Sequence, residues 1–234
     1  MTPDLDVALR LTVTGLTKAF AGGPVLRDVE LVARGGSVVT VTGPPGSGTT
    51  TLARCLTGTY RPDAGSVAIG ADTPPASANG HGEPVDLATA DARTVAWARR
   101  HHVAALDGPL AVPPRRPAAS AVARLTGLDE SAATVVLDRA GAAHLAATPV
   151  GRLRGEERRR VALAAALGGT APIVVLDDPG TEAATGQWIA EVAATGRVVV
   201  VTATEDRSPP IPRTAAVPVL AGRIENGAVR WQEP

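Results

Sequence analysis

The chain has 234 residues with 23 basic against 23 acidic side chains, a formal net charge of zero, which excludes a protein held to nucleic acid or anionic lipid by overall charge. Aromatics are only 2% of the residues, so the interior must be built from small aliphatics, and the length suits one large domain with a substantial core. A single cysteine, Cys55, excludes an intrachain disulfide; the start MTPDLDVALR lacks a signal-peptide pattern and the apolar runs are too short to span a bilayer, so the expectation is a cytoplasmic protein.

Residues 9 to 41 carry alternating or short apolar runs separated by turn signals at Gly15, Ala21-Gly22-Gly23-Pro24 and Arg34-Gly35-Gly36. They predict a small antiparallel region that feeds a strand at Val38-Val39-Thr40-Val41. A helix is expected from Leu52 to Leu56, then a turn over 58 to 65 and a short strand near Val67 to Ile69. Residues 71 to 84 read as a loop rich in Pro, Ser, Asn and Gly, and the Ala-rich stretch from 117 to 147 as helical with a break at Gly127. From residue 150 an arginine-rich helix, a strand Ile173 to Asp177, a helix over 183 to 194 and a strand Val198 to Thr202 alternate in βαβ fashion, as in a mostly parallel sheet.

Between the strand ending near residue 41 and the helix beginning near 52 lies Gly43-Pro44-Pro45-Gly46-Ser47-Gly48-Thr49-Thr50-Thr51. This is the phosphate-cradling pattern GxxxxGK[ST] in all positions but one, with Thr49 where lysine belongs. Glycines let such a loop turn its N–H groups inward at the positive end of a helix dipole, where a polyphosphate fits. The lysine would supply the full positive charge at the β and γ phosphates, and the following hydroxyl, here Thr50, would reach magnesium. The chain has one lysine, Lys18, so a bias against lysine accounts for an arginine in the loop but not for a threonine.

Together with four further segments this loop resembles the ATP-binding cassette (ABC) ATPases over nearly the whole chain. Phe20, 23 residues before Gly43, stands where that family places an aromatic that stacks on adenine. Leu153-Arg154-Gly155-Glu156-Glu157 is similar to the signature LSGGQ, Ile173 to Pro179 to the Walker B segment, and Leu220-Ala221-Gly222-Arg223-Ile224 to the closing hairpin. The resemblance implies an α/β fold of P-loop NTPase type, a RecA-like parallel sheet with an antiparallel β subdomain and a small helical subdomain over about 109 to 160, all within one domain, 1 to 234. It implies ATP and Mg²⁺ as ligands, with Gly43, Gly46, Ser47, Gly48, Thr49, Thr50 and Thr51 on the phosphates, Thr50 and Asp177 on the metal, and Asp177 and Asp178 as the catalytic carboxylates. Val85-Asp86-Leu87, Thr89-Ala90, Arg93, Val95, Arg99-Arg100, Leu110, Val112, Pro114-Arg115, Pro117-Ala118 and Glu157 look like the block marking the subunit of the bacterial carbon-phosphorus lyase system, the PhnL type. The partners then implied are protein subunits of a phosphonate-utilisation complex or a permease, or a second copy of the chain, with no nucleic acid and no membrane insertion.

The departures point to weak or absent hydrolysis. An ungapped match puts Gly108 where the Q-loop glutamine belongs, and no glutamine precedes Gln187. Arg154 replaces the signature serine, Glu156 its second glycine, Asp178 the Walker B glutamate, and Ala203 the switch histidine; no D-loop is recognisable after Pro179. Losing the lysine's charge-assisted bond weakens binding by roughly 1.5 to 3 kcal/mol, about one to two decades, whereas one missing transition-state donor costs about 10² to 10³ in rate. In a sandwich dimer Glu156 would face the γ-phosphate, at an upper-end cost of about 4 kcal/mol per like-charge pair, which Arg154 is placed to offset. Two other readings stand beside this one, a working transporter ATPase and a nucleotide-independent scaffold. Arg158 to Arg160 read as a solvated helix face, Trp97, Trp188 and Trp231 as packing residues, and Cys55 as a buried small hydrophobe.

Overall fold

The computed structural model describes residues 9–71, 84–108 and 110–232. In chain order it forms β1 (Leu9–Phe20), β2 (Gly23–Arg34), β3 (Val38–Gly43), α1 (Thr49–Leu56), β4 (Ala64–Ala71), β5 (Val85–Asp86), α2 (Ala92–His101) and β6 (Val103–Leu106). There follow α3 (Ala118–Thr126), α4 (Glu130–Arg139), α5 (Gly155–Gly168), β7 (Ile173–Asp177), α6 (Ala183–Ala194), β8 (Val198–Thr204), β9 (Val219–Glu225) and β10 (Ala228–Trp231). The loop expected over 71 to 84 falls almost wholly outside the described residues.

Two sheets result, an antiparallel one in the order β2-β1-β4-β5 and a mixed one in the order β10-β9-β3-β8-β7-β6. Strands β9, β3, β8, β7 and β6 run parallel, with only β10 turned back against β9. Val38, Val39, Val41, Ile173 to Leu176 and Val198 to Val201 are essentially inaccessible to solvent. Such unbroken β-branched runs are what a parallel sheet covered on both faces requires. One face packs with α1 against the antiparallel sheet, through Leu11, Leu16, Leu26, Leu52 and Leu56. The other packs against α5 and α6, through Leu163, Leu167, Trp188 and Ile189.

Helices α3, α4 and α5 enclose a third core of Ala121, Val122, Ala133, Leu137, Val161 and Ala164. Val161 and Ala164 face that core while Ala162 and Leu163 face the sheet, so the subdomain boundary expected near residue 160 falls inside one continuous helix. The helical stretch expected to reach 147 stops earlier, because Gly141 adopts φ +65 just after α4 and only a 3₁₀ turn, Ala143–Leu145, follows. Arg197 closes the far end of α5, donating to the carbonyls of Ala171 (2.7 Å), Leu167 (3.2 Å) and Ala166 (3.4 Å). Burial lowers its pKa to about 10, and the last carbonyls of a helix suit a cation.

Candidate functional site

The loop predicted from the glycine spacing joins β3 to α1 at the carboxyl edge of the parallel sheet. Gly46 has φ +83 and Gly48 φ +109, and a Cβ on Gly48 would come within 2.9 Å of Val25 Cγ1 on β2. Position 48 therefore excludes a side chain by both conformation and space. Ser47 N–H donates to Pro44 O (3.0 Å), and the first bond of α1 runs from Leu52 N–H to Gly48 O (2.8 Å), so the amides of Thr49, Thr50 and Thr51 have no acceptor within the helix. These donors, at the positive end of α1, form an anion receptor. Thr49, where the lysine is missing, is 8% exposed, while Thr50 is exposed. A cavity of about 850 Å³ opens beside the loop between Pro44 to Ser47, Val25, Arg27 and the turn Asn226-Gly227. Arg27 is exposed and its side chain has no partner among the described residues.

Two strands away, Asp177 ends β7. Its Oδ1 accepts the Thr202 hydroxyl at 2.8 Å, and the Thr50 hydroxyl lies close enough to the carboxylate to favour its charged form. Burial pushes the Asp177 pKa up; the bonds from Thr202 and Thr50 oppose this, the charge of Asp178 adds to it and that of Arg54 opposes it. The fold thus brings together Thr50 and Asp177, two oxygen donors of the kind that hold Mg²⁺ when phosphates and water complete the shell. Asp178 has φ +53 and donates its N–H to Thr202 O at 2.7 Å. Its side chain turns to arginines: Arg207 Nε donates to Oδ1 and Arg207 Nη2 lies at Oδ2, both at 2.9 Å, while Arg159 Nη1 stands 3.5 Å from Oδ2.

At the start of α5, the Glu157 carboxylate accepts the Arg154 N–H at 2.9 Å, capping the helix with its own side chain. Glu156 pairs with Arg159 and, at 3.1 Å, with Arg160. The Glu156 charge is therefore offset one turn along the same helix, by Arg159 and Arg160. The arginine face expected over 158 to 160 is solvated at Arg158 and Arg160 and also forms a bonded network: Arg158 donates to Leu153 O (2.7 Å), and Arg160 reaches Glu182 Oε1 at the start of α6 (3.5 Å). Arg159 is only 20% exposed in its side chain.

The profile of the ABC transporter family matches residues 26–181. The chain belongs to the ABC transporter family. It is 33% identical over 180 residues to the cobalamin import ATP-binding protein BtuD of Halobacterium salinarum, covering 73% of this chain and 41% of that protein. It is 29% identical over 223 residues to the Fe(3+) ions import ATP-binding protein FbpC 2 of Rhodococcus jostii, covering 92% and 60%. The chain therefore spans only about 41% to 60% of the length of these relatives. Among solved structures, the dimeric ATP-binding cassette MJ0796 bound to ADP and Pi aligns with a TM-score of 0.72 at 21% identity, over 95% of this chain and 98% of that one, which places the fold as an ABC cassette.

Within this ABC protein the remaining predicted positions are scattered. Phe20 ends β1, 45% exposed, its ring edge-on to Tyr60 (5.6 Å) with Lys18 Nζ 5.4 Å from its centre. Gly108 carries no functional group, but Asp107, the first residue after β6, accepts the Thr57 (2.6 Å) and Thr59 (2.7 Å) hydroxyls. Nothing local in the sequence marks Asp107, because its partners lie about fifty residues earlier. Ala203 lies inside β8 and is buried; the polar groups that follow the strand are Glu205, Asp206 and Arg207. Trp97, expected to pack, is 48% exposed on α2 and meets only the rings of His101 and His102 at 5.7 and 4.7 Å among aromatic contacts. Asp86 is occupied structurally, accepting the N–H groups of Val67 and Ala88 at 2.9 Å each. The Cys55 thiol is fully buried and its pKa is pushed up to about 11 by burial, so it behaves as a hydrophobe. Among the described residues no helix is long and apolar enough to cross a membrane.

Proposed function

We propose that this chain is an ABC nucleotide-binding subunit that holds Mg-ATP weakly and hydrolyses it slowly or not at all. The observation that supports the reading is the loop itself: the amides of Thr49 to Thr51 are left without acceptors at the start of α1, while the position where the pattern carries a lysine holds Thr49. Thr50 and Asp177 are the metal ligands in this reading, and a bound Mg²⁺ would screen the phosphate charges that Thr49 leaves uncompensated. Gly43, Gly46, Ser47, Gly48, Thr49 and Thr51 shape the cradle, Phe20 takes the adenine face, and Asp178 is the carboxylate nearest in sequence to the role of proton acceptor. The whole of 1 to 234 acts as one nucleotide-binding domain, with 109 to 160 as its helical part. It works beside other protein subunits, as a pair of copies or with a permease, on the cytoplasmic side.

The finer assignment is a PhnL-like subunit of a phosphonate-utilising carbon-phosphorus lyase system, supported by the residues from Val85 to Ala118 and by Glu157. A second reading, an ATP-binding subunit of an importer, is favoured by the relatives, which are import ATP-binding proteins for cobalamin and Fe(3+) ions. Calorimetric titration with ATP and ADP in Mg²⁺ tests the binding step: a dissociation constant above the micromolar range is expected. Submicromolar affinity would show that another cation replaces the lysine, and no heat and no melting shift at millimolar ATP would leave a scaffold. Growth of a deletion strain on methylphosphonate as sole phosphorus source separates the two system assignments, since only the PhnL-like role predicts its loss.

A further inference from the structure

We propose that Arg207 is a positioning residue that holds the Asp178 carboxylate in a two-point ion pair, so that the residue nearest to a proton acceptor is latched in the resting subunit. The inference rests on the nucleotide-binding reading above. Arg207 belongs to the 3₁₀ turn Glu205–Arg207 that leaves β8. That turn is pinned on two sides, by the Thr204 hydroxyl donating to Asp206 Oδ1 (2.9 Å) and by Glu205 Oε1 paired with Arg223 Nη2 on β9 (2.7 Å). From this fixed base the guanidinium meets both Asp178 oxygens at 2.9 Å, the fork geometry in which arginine binds a carboxylate best. The other side of the pair is equally defined. The Asp178 backbone is fastened to β8 through Thr202 O in a left-handed conformation that a non-glycine residue rarely adopts, and Arg159 stands behind Oδ2 from α5.

In ATP hydrolysis a water oxygen bonds to the terminal phosphorus, the bond from that phosphorus to the ADP oxygen breaks, and the proton shed by the water must pass to an acceptor. A carboxylate with each oxygen accepting one guanidinium N–H keeps a second lone pair on each oxygen, but its plane is fixed against Arg207, so it cannot turn to meet the water while the pair is closed. Arg207 and Asp178 are 49% and 39% exposed in their side chains, and exposed pairs of this kind are held weakly. The latch is therefore one that opens, and its contribution to turnover is bounded by the fraction of time it is closed.

The test uses the full chain and the variants Arg207→Gln, Arg207→Lys, Asp178→Asn and the double Arg207→Gln/Asp178→Asn, each checked for an unchanged melting profile. In the wild type the Arg207 Nε–H resonance should be protected from solvent exchange, and Asp178→Asn should remove the protection. Single-turnover phosphate release with labelled ATP should rise about fivefold in Arg207→Gln, less in Arg207→Lys, with the half-saturating ATP concentration within twofold of wild type. The double variant should turn over no faster than Asp178→Asn alone, at or below the wild-type rate. A rate in Arg207→Gln equal to or below wild type with nucleotide bound, or a gain that survives Asp178→Asn, overturns the proposal. If fluorescent ATP does not bind the wild type, the nucleotide reading falls, and the Arg207 resonance decides the latch alone: free exchange in the wild type overturns it and protection lost in Asp178→Asn upholds it.

Discussion

The loop between β3 and α1 and the charged cluster around Asp178 lie at the same carboxyl edge of one parallel sheet, and they respond to sequence change in opposite ways. The loop is made of backbone: its donors are amides, its shape comes from glycines at positive φ, and Thr49 brings no charge to it. The cluster is made of side chains: Asp178, Arg207, Arg159, Glu156 and Arg160 create its geometry by pairing with one another. A site built from backbone survives the loss of its most familiar residue, whereas a site built from charges is redefined by each exchange. That difference explains how one edge of one sheet holds a loop of unpaired amides beside a cluster of paired charges.

Four substitutions bear on this contrast, beginning with the largest effect. Gly48→Val should destroy the cradle, since it forces a β-branched residue into φ +109 within 2.9 Å of Val25; a stability loss of about 2 to 3 kcal/mol in urea denaturation and loss of detectable ATP binding are expected. Survival of binding would mean that the amide geometry is not what holds phosphate. Thr49→Lys should tighten ATP binding by about ten- to a hundredfold, the worth of one charge-assisted bond, without bringing turnover to the rate of an ordinary ABC ATPase. Titration and phosphate release measured together decide it, because recovery of both would show the corner near Asp178 to be intact.

Asp177→Asn sharpens the comparison through pH. Burial raises the Asp177 pKa above its ordinary 3.8, so in the metal-free protein the folded state holds a proton longer than the unfolded state. Stability from this group is then greatest at low pH and falls as pH rises from about 3.8 through the raised value, leaving a cost at neutral pH. The asparagine variant should lack this component and melt higher at pH 7, while losing any stabilisation by Mg-ATP over ATP alone. An unchanged or lower melting temperature at pH 7 would show that the Thr50 and Thr202 bonds outweigh desolvation. The smallest effect belongs to Glu156→Gln, which breaks two exposed pairs with Arg159 and Arg160. A change below about 1 kcal/mol that shrinks in 0.5 M salt is expected, and a larger one would mean that the cluster carries α5 itself.

Much of the architecture could be read locally. The valine and isoleucine runs of β3, β7 and β8 announce a mostly parallel sheet, and the glycine spacing of 43 to 48 announces the turn into α1. These are contacts within one strand or one turn, where residue type and spacing are the physics. The expected solvation of Arg159 and packing of Trp97 are different cases, because exposure depends on what another element brings against a surface.

Sequence by itself determined the order of strands and helices up to residue 71 and from 117 onward, the glycine spacing of the loop and the absence of a lysine from it, but not β5, α2 or β6. Only the tertiary structure decided which charges meet: Asp178 with Arg207 across 29 residues, Asp107 with Thr57 across 50, and Asp177 with Thr202 across 25. The physical reason is that parallel strands need long crossovers, so side chains far apart in the chain come together at the carboxyl edge only once every crossover has closed. Pairing there is set by distances that no local spacing encodes, and the burial that raises Asp177 exists only after β7 is enclosed between β6 and β8.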